Sequence, residues 1–199
     1  MNQNTASSNR TAMGIPGLVS RWVILLVIAL VAFYPATTSA QSISNDDIKA
    51  QFIKDWERAK AYTQEYLNAM PASKYSLKPV DSIRSFSQQM LHLALDNVLL
   101  TAKALDQPML FGKRDLEQSS TAQTKDSVVY YVMASYDFVI EGLKKLDAGK
   151  LGEPVSLFNM DISRAGWIAK TFEHQTHHRG QTTIYIRLAG IKPPQEKLF

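Results

Sequence analysis

Residues Asp161 to Pro194 read DISRAGWIAKTFEHQTHHRGQTTIYIRLAGIKPP. Asp161-Ile162-Ser163 offers a helix cap, and Gly190 with Pro193-Pro194 offers a stop, so the spacing predicts a helix from Arg164 to Leu188. Trp167, Thr171, His174, His178, Gln181, Tyr185 and Leu188 recur at three- and four-residue steps, which puts them on one face. That face is where the core should be. His174 and His178 stand about 40° apart around the helix, while His177 is about 60° from His174, at the border of the stripe. Two buried imidazoles without partners are costly to keep, and one divalent cation satisfies both lone pairs. The remaining histidine of the chain is His92.

Working back towards the N-terminus, three more helices are expected. Val129, Val132, Tyr136, Val139, Leu143 and Leu146 alternate by three and four, the pattern of a core seam. Phe86, Met90, Leu93, Asn97 and Thr101, with Leu91, Leu95, Val98 and Leu105 beside them, give a helix that ends before Pro108 and is apolar around much of its girth. Such a helix should be central, with His92 in its middle. Ser44-Asn45-Asp46-Asp47 caps a first helix carrying Ile48, Phe52, Trp56, Ala59, Tyr66 and Met70, stopped by Pro71. Residues 106–126 mix Pro, Gly, Ser, Thr and charge without a period, which reads as a long loop, and a second link follows Gly149 to Gly152. No stretch shows convincing period-two alternation, so the expected fold class is all-α, an antiparallel-type four-helix bundle with its site built from inward-facing side chains.

The front of the chain is different. Trp22 to Tyr34 is an unbroken apolar run of 13 residues behind Arg10 and Arg21, and Thr38-Ser39-Ala40 supplies small residues for cleavage before Gln41. Residues 1–40 are therefore expected to be a cleavable signal peptide and 41–199 the domain. The run is shorter than the about 20 apolar residues that a spanning helix needs. The expected location is periplasmic or secreted, with no stable membrane association after cleavage. The 199 residues contain 22 basic and 18 acidic side chains, and the leader holds two of the basic ones. With so small an excess and no basic stripe, no nucleic-acid partner is expected. There is no Cys, which excludes a disulfide framework, a thiolate metal site and a lipid-anchored form.

His92, His174 and His178 together form the expected metal-ligand set, with Zn, Ni or Fe as the divalent cation. Glu173 precedes the first histidine of the pair and cannot take the general-base position of the H-E-x-x-H proteases. Glu173, Gln181 and Tyr185 are candidate catalytic helpers or hydrogen-bonders to the ligands. Arg179 is read as holding an anionic substrate or as an ordinary solvated helix residue.

The block Phe172 to Pro194 (FEHQTHHRGQTTIYIRLAGIKPP), together with Tyr75 to Asn97 (YSLKPVDSIRSFSQQMLHLALDN), resembles the DinB/YfiT superfamily of metal-binding four-helix bundles. The resemblance covers nearly all of residues 41–199, and its most specific part is H-x-x-x-H-R-G-Q preceded by a lone His in the second helix. It implies three histidine ligands at one end of the bundle, mapping onto His92, His174 and His178. For activity it implies either a metal-dependent hydrolase or a thiol-dependent transferase or isomerase, and it implies no DNA binding. A non-catalytic metal-binding bundle is the third reading the residues leave open. The expected partner is a small-molecule substrate of unknown identity, and a homodimer stays open.

Overall fold

The computed structural model describes residues 42–112 and 114–199 of the chain. The expected signal peptide lies outside the described residues. Four helices make up most of the structure: α1 (Asn45–Ala69), α2 (Phe86–Thr101), α3 (Lys125–Lys145) and α4 (Arg164–Leu188). None of the described helices is long and apolar enough to cross a membrane.

Each helix starts where a hydroxyl side chain can cap it. Ser44 and Asp47 form a capping box on α1, Ser85 and Gln88 form one on α2, and Thr124 and Ser163 cap α3 and α4. Gly190 closes α4 with φ +79°, a left-handed conformation that residues with a Cβ rarely adopt. Trp56, Phe86, Met90, Leu93, Tyr136, Leu143 and Ile168 are fully buried between the helices. The central position expected for α2 is met, since it packs on both α3 and α4.

The helix directions differ from a simple antiparallel bundle. Contacts pair Gln89 with Gln181 and Asp96 with His174, so α2 and α4 run antiparallel. Lys60 meets Asp137 and Lys125 reaches Met70, so α1 and α3 are antiparallel too. By contrast Thr63 meets Arg179 and Tyr66 meets Thr183, while Ser87 meets Gln123 and Asn97 meets Ser135. The pairs α1/α4 and α2/α3 are therefore parallel. A parallel pair of consecutive helices needs a long return connection. That is why the chain between α2 and α3 is long and aperiodic: it crosses back along the bundle, pinned by buried Phe111, Leu116 and Ala122.

The expected all-α class needs one correction. Pro154–Leu157 (β1) and Met160–Ser163 (β2) form an antiparallel hairpin, paired Pro154 to Ser163 and Leu157 to Met160. Phe158 and Asn159, at φ 54° and 60°, make its two-residue turn, the twist that suits a hairpin. Strands of four residues are too short for a period to stand out from the sequence. The hairpin is held against α4, where Trp167 Nε1 donates to the Val155 carbonyl at 2.9 Å.

Candidate metal centre

His92 projects from the middle of α2, and His174 and His178 project from successive turns of α4 facing it. One ring nitrogen from each lies within 4.8 Å of the others. The Nε2 atoms of His174 and His178 are 3.0 Å apart. Ligand atoms around a tetrahedral zinc at about 2.0–2.1 Å stand about 3.3 Å apart, so the pair is spaced for one cation. Two imidazole lone pairs this close repel unless a proton or a cation lies between them.

Burial favours the neutral, ligating form of the two α4 rings, His174 and His178. His178 is 8% exposed, and desolvation, followed by the neighbouring His174, His92 and His177 and by Arg84, pushes it down to about 3. His174 is also pushed down, chiefly by desolvation and against the pull of the Asp96 carboxylate.

The surroundings orient the rings. His92 Nδ1 donates to Glu117 Oε1 at 2.8 Å, and Glu117 is itself held by Arg84 Nε at 2.6 Å. A carboxylate on the far nitrogen fixes the tautomer that leaves Nε2 free for a cation. His178 Nδ1 lies 2.8 Å from the Gln89 side-chain amide, which also bonds the Gln181 amide, and Gln181 reaches His177 Nε2 at 2.8 Å. The Gln89 atom facing Nδ1 is Nε2; with the Gln89 amide turned over, its oxygen accepts from His178 Nδ1–H in the tautomer that ligates through Nε2. Gln89 Nε2 donates to Gln181 Oε1, and Gln181 Nε2 faces His177 Nε2, so one chain of hydrogen bonds runs from the ligand to His177; turning over both amides reverses its direction. His174 Nδ1 is buried without a partner among the described residues.

Two acidic groups join the site that the sequence reading did not select. Asp96 Oδ2 is 3.1 Å from His174 Nε2 and 3.4 Å from His92 Nε2. Asp96 follows His92 by four residues, the same spacing as the histidine pair, and that spacing is the signal that could have found it. Glu117 comes from the crossover loop, which carries no periodic signal.

The other candidates are placed apart. Glu173 is largely exposed and pairs with Lys170 at 3.3 Å. Tyr185 is buried, and its hydroxyl donates to the Arg84 carbonyl at 2.7 Å, bracing the segment that leads into α2. Gln181 is exposed and touches the ligand set through Gln89. Leu188, expected on the buried stripe, is 60% exposed. Arg179 is buried and faces α1 rather than the three rings.

The sequence matches the DinB family over residues 40–198. The chain belongs to the DinB family. A DinB-like protein from Bacillus cereus is 15% identical, with a TM-score of 0.61 over 73% of this chain and 95% of that one. A DinB-like protein from Bacillus subtilis is 17% identical, with a TM-score of 0.59 over 75% and 96%. A conserved protein from Enterococcus faecalis is 14% identical, with a TM-score of 0.58 over 74% and 98%. At these identities the likeness concerns the fold. Among curated proteins none matches. The DinB membership agrees with a three-histidine group that could hold a metal ion.

Proposed function

We propose that this DinB-family chain is an exported metal-dependent hydrolase acting on a small molecule. The observation that carries the reading is the double position of His178, which belongs to the ligand cluster and also lines a cavity of about 890 Å³. A cavity of that size takes a small organic substrate. A divalent cation, Zn, Ni or Fe, held by His92, His174 and His178 supplies Lewis acidity for attack on a polarised bond. Glu117 holds His92 in the ligating tautomer, and Gln89, with its amide turned over, does the same for His178. His177 and Gln181 line the cavity with hydrogen-bonding groups that can orient a substrate, and buried Tyr185 forms part of the wall. Export favours hydrolysis over thiol transfer, because reduced low-molecular-weight thiols belong to the cytosol.

Asp96 supports a second reading. Its distances to two ligand nitrogens suit a fourth protein ligand, and a closed set of four is the mark of a structural metal site. Metal analysis followed by panels of ester, amide, lactone and thiol-transfer substrates decides between them. The hydrolase reading expects one divalent ion per chain and hydrolysis that is lost on chelation and restored by the metal. Thiol transfer without hydrolysis moves the assignment to the transferase class. Neither activity, with metal bound by the wild type and lost in Asp96→Asn, establishes the structural role. Intact mass of the exported protein checks the leader, with Gln41 as the expected first residue.

A further inference from the structure

Arg179 follows His178 in the chain, yet its guanidinium faces α1 rather than the three rings. It is 6% exposed. Nη1 donates to Gln175 Oε1 at 3.1 Å and to Thr63 Oγ1 at 3.5 Å, and Cζ lies 4.6 Å from the centre of the Tyr62 ring. All of these partners are neutral. The arginine ion pairs among the described residues belong to Arg58, Arg84 and Arg164. A guanidinium stays charged under all ordinary conditions, and a buried charge without a counter-charge is costly. Among the described residues, its Nε and Nη2 donate to no acceptor.

Those free donors belong to a residue lining a second cavity, of about 710 Å³, between α1, α4 and the C-terminal tail. Tyr62 and Tyr66 form one wall, and exposed Arg187 and Lys192 stand at the rim. Three cations thus face one carboxylate, Glu196. We propose that this cavity binds a small organic anion whose carboxylate or phosphoryl oxygens sit on the Arg179 guanidinium. The fork of donors suits two oxygens of one such group. The cavity is larger than an inorganic ion needs, and the Tyr62 and Tyr66 rings offer apolar surface for the rest of the ligand. The site is independent of the metal centre.

Calorimetric titration of the metal-loaded protein with benzoate and with phenylphosphonate, at constant ionic strength, tests this with probes that differ only in the charged head. Saturable binding of either supports the proposal, and the head group that binds identifies the source of the charge. Binding should weaken about tenfold or more in Arg179→Gln, the loss of a charge-assisted pair. It should weaken about three- to tenfold in the Arg187→Gln/Lys192→Gln double variant, tighten in Glu196→Gln, and persist in His178→Ala. If Arg179→Gln does not fold, as judged by circular dichroism, the rim variants and Glu196→Gln carry the test, since they alter exposed side chains. No saturable binding of either probe overturns the proposal. So does binding that is lost in His178→Ala and unmoved by the rim variants, because it then belongs to the metal.

Discussion

His177 and His178 are adjacent and identical in chemistry, yet the fold gives them different work. His178 is buried against His92 and His174, whereas His177 is exposed and reaches Gln181. Substituting His92, His174 or His178 with Ala should therefore strip most of the metal, while His177→Ala keeps it; metal per chain, measured after gel filtration, checks this. Comparable loss in His177→Ala would reverse the assignment. Glu117→Gln keeps the side-chain shape but removes the charge that orients His92. It should lower metal affinity about 10- to 100-fold with the fold unchanged, as competition with a chromogenic chelator would read. The pH response of the metal-free protein follows from His178. Its folded-state value is depressed to about 3, so the unfolded chain binds the proton first as pH falls below about 6.5. Stability should fall between those two values. His178→Gln should flatten that part of the curve of melting temperature against pH.

The helices are joined by polar contacts as well as by the apolar seam. Tyr136 on α3 is fully buried; its hydroxyl donates to Gln175 Oε1 on α4 at 2.7 Å and lies 2.7 Å from Thr63 Oγ1 on α1. One hydroxyl thus ties three helices together. Tyr136→Phe keeps the ring packed edge-on against Trp56 but removes these bonds. It should cost about 1–3 kcal/mol, read as a lower urea midpoint at unchanged slope, because two buried polar groups each lose a partner. The periodic pattern of α3 placed Tyr136 on the core side. It said nothing of the hydroxyl, since the acceptors come from helices distant in the chain.

Across the whole molecule, the three ligands join the second and fourth helices, and the carboxylate that supports His92, Glu117, comes from the crossover loop. A cation that binds only the assembled site stabilises the native state by mass action. Chelation should lower the melting temperature and added Zn²⁺ or Ni²⁺ should restore it, as calorimetry would show. No change on stripping a demonstrably loaded protein would count against the site. Much of this assembly was legible from local chemistry. Ser44 and Ser163 fall at helix starts, Gly190 closes the last helix, and the i, i+4 spacing of His174 and His178 gives them one face. Each of those features depends on neighbours within a turn or two, where covalent geometry dictates the outcome. The parallel pairing of α2 with α3, the hairpin beside Trp167, the approach of Asp96 and Glu117 to the rings, and the burial of Arg179 against Tyr62 were decided only in three dimensions. They depend on which distant surfaces exclude water together, and residues far apart in the chain carry no periodic mark of the partners they will meet.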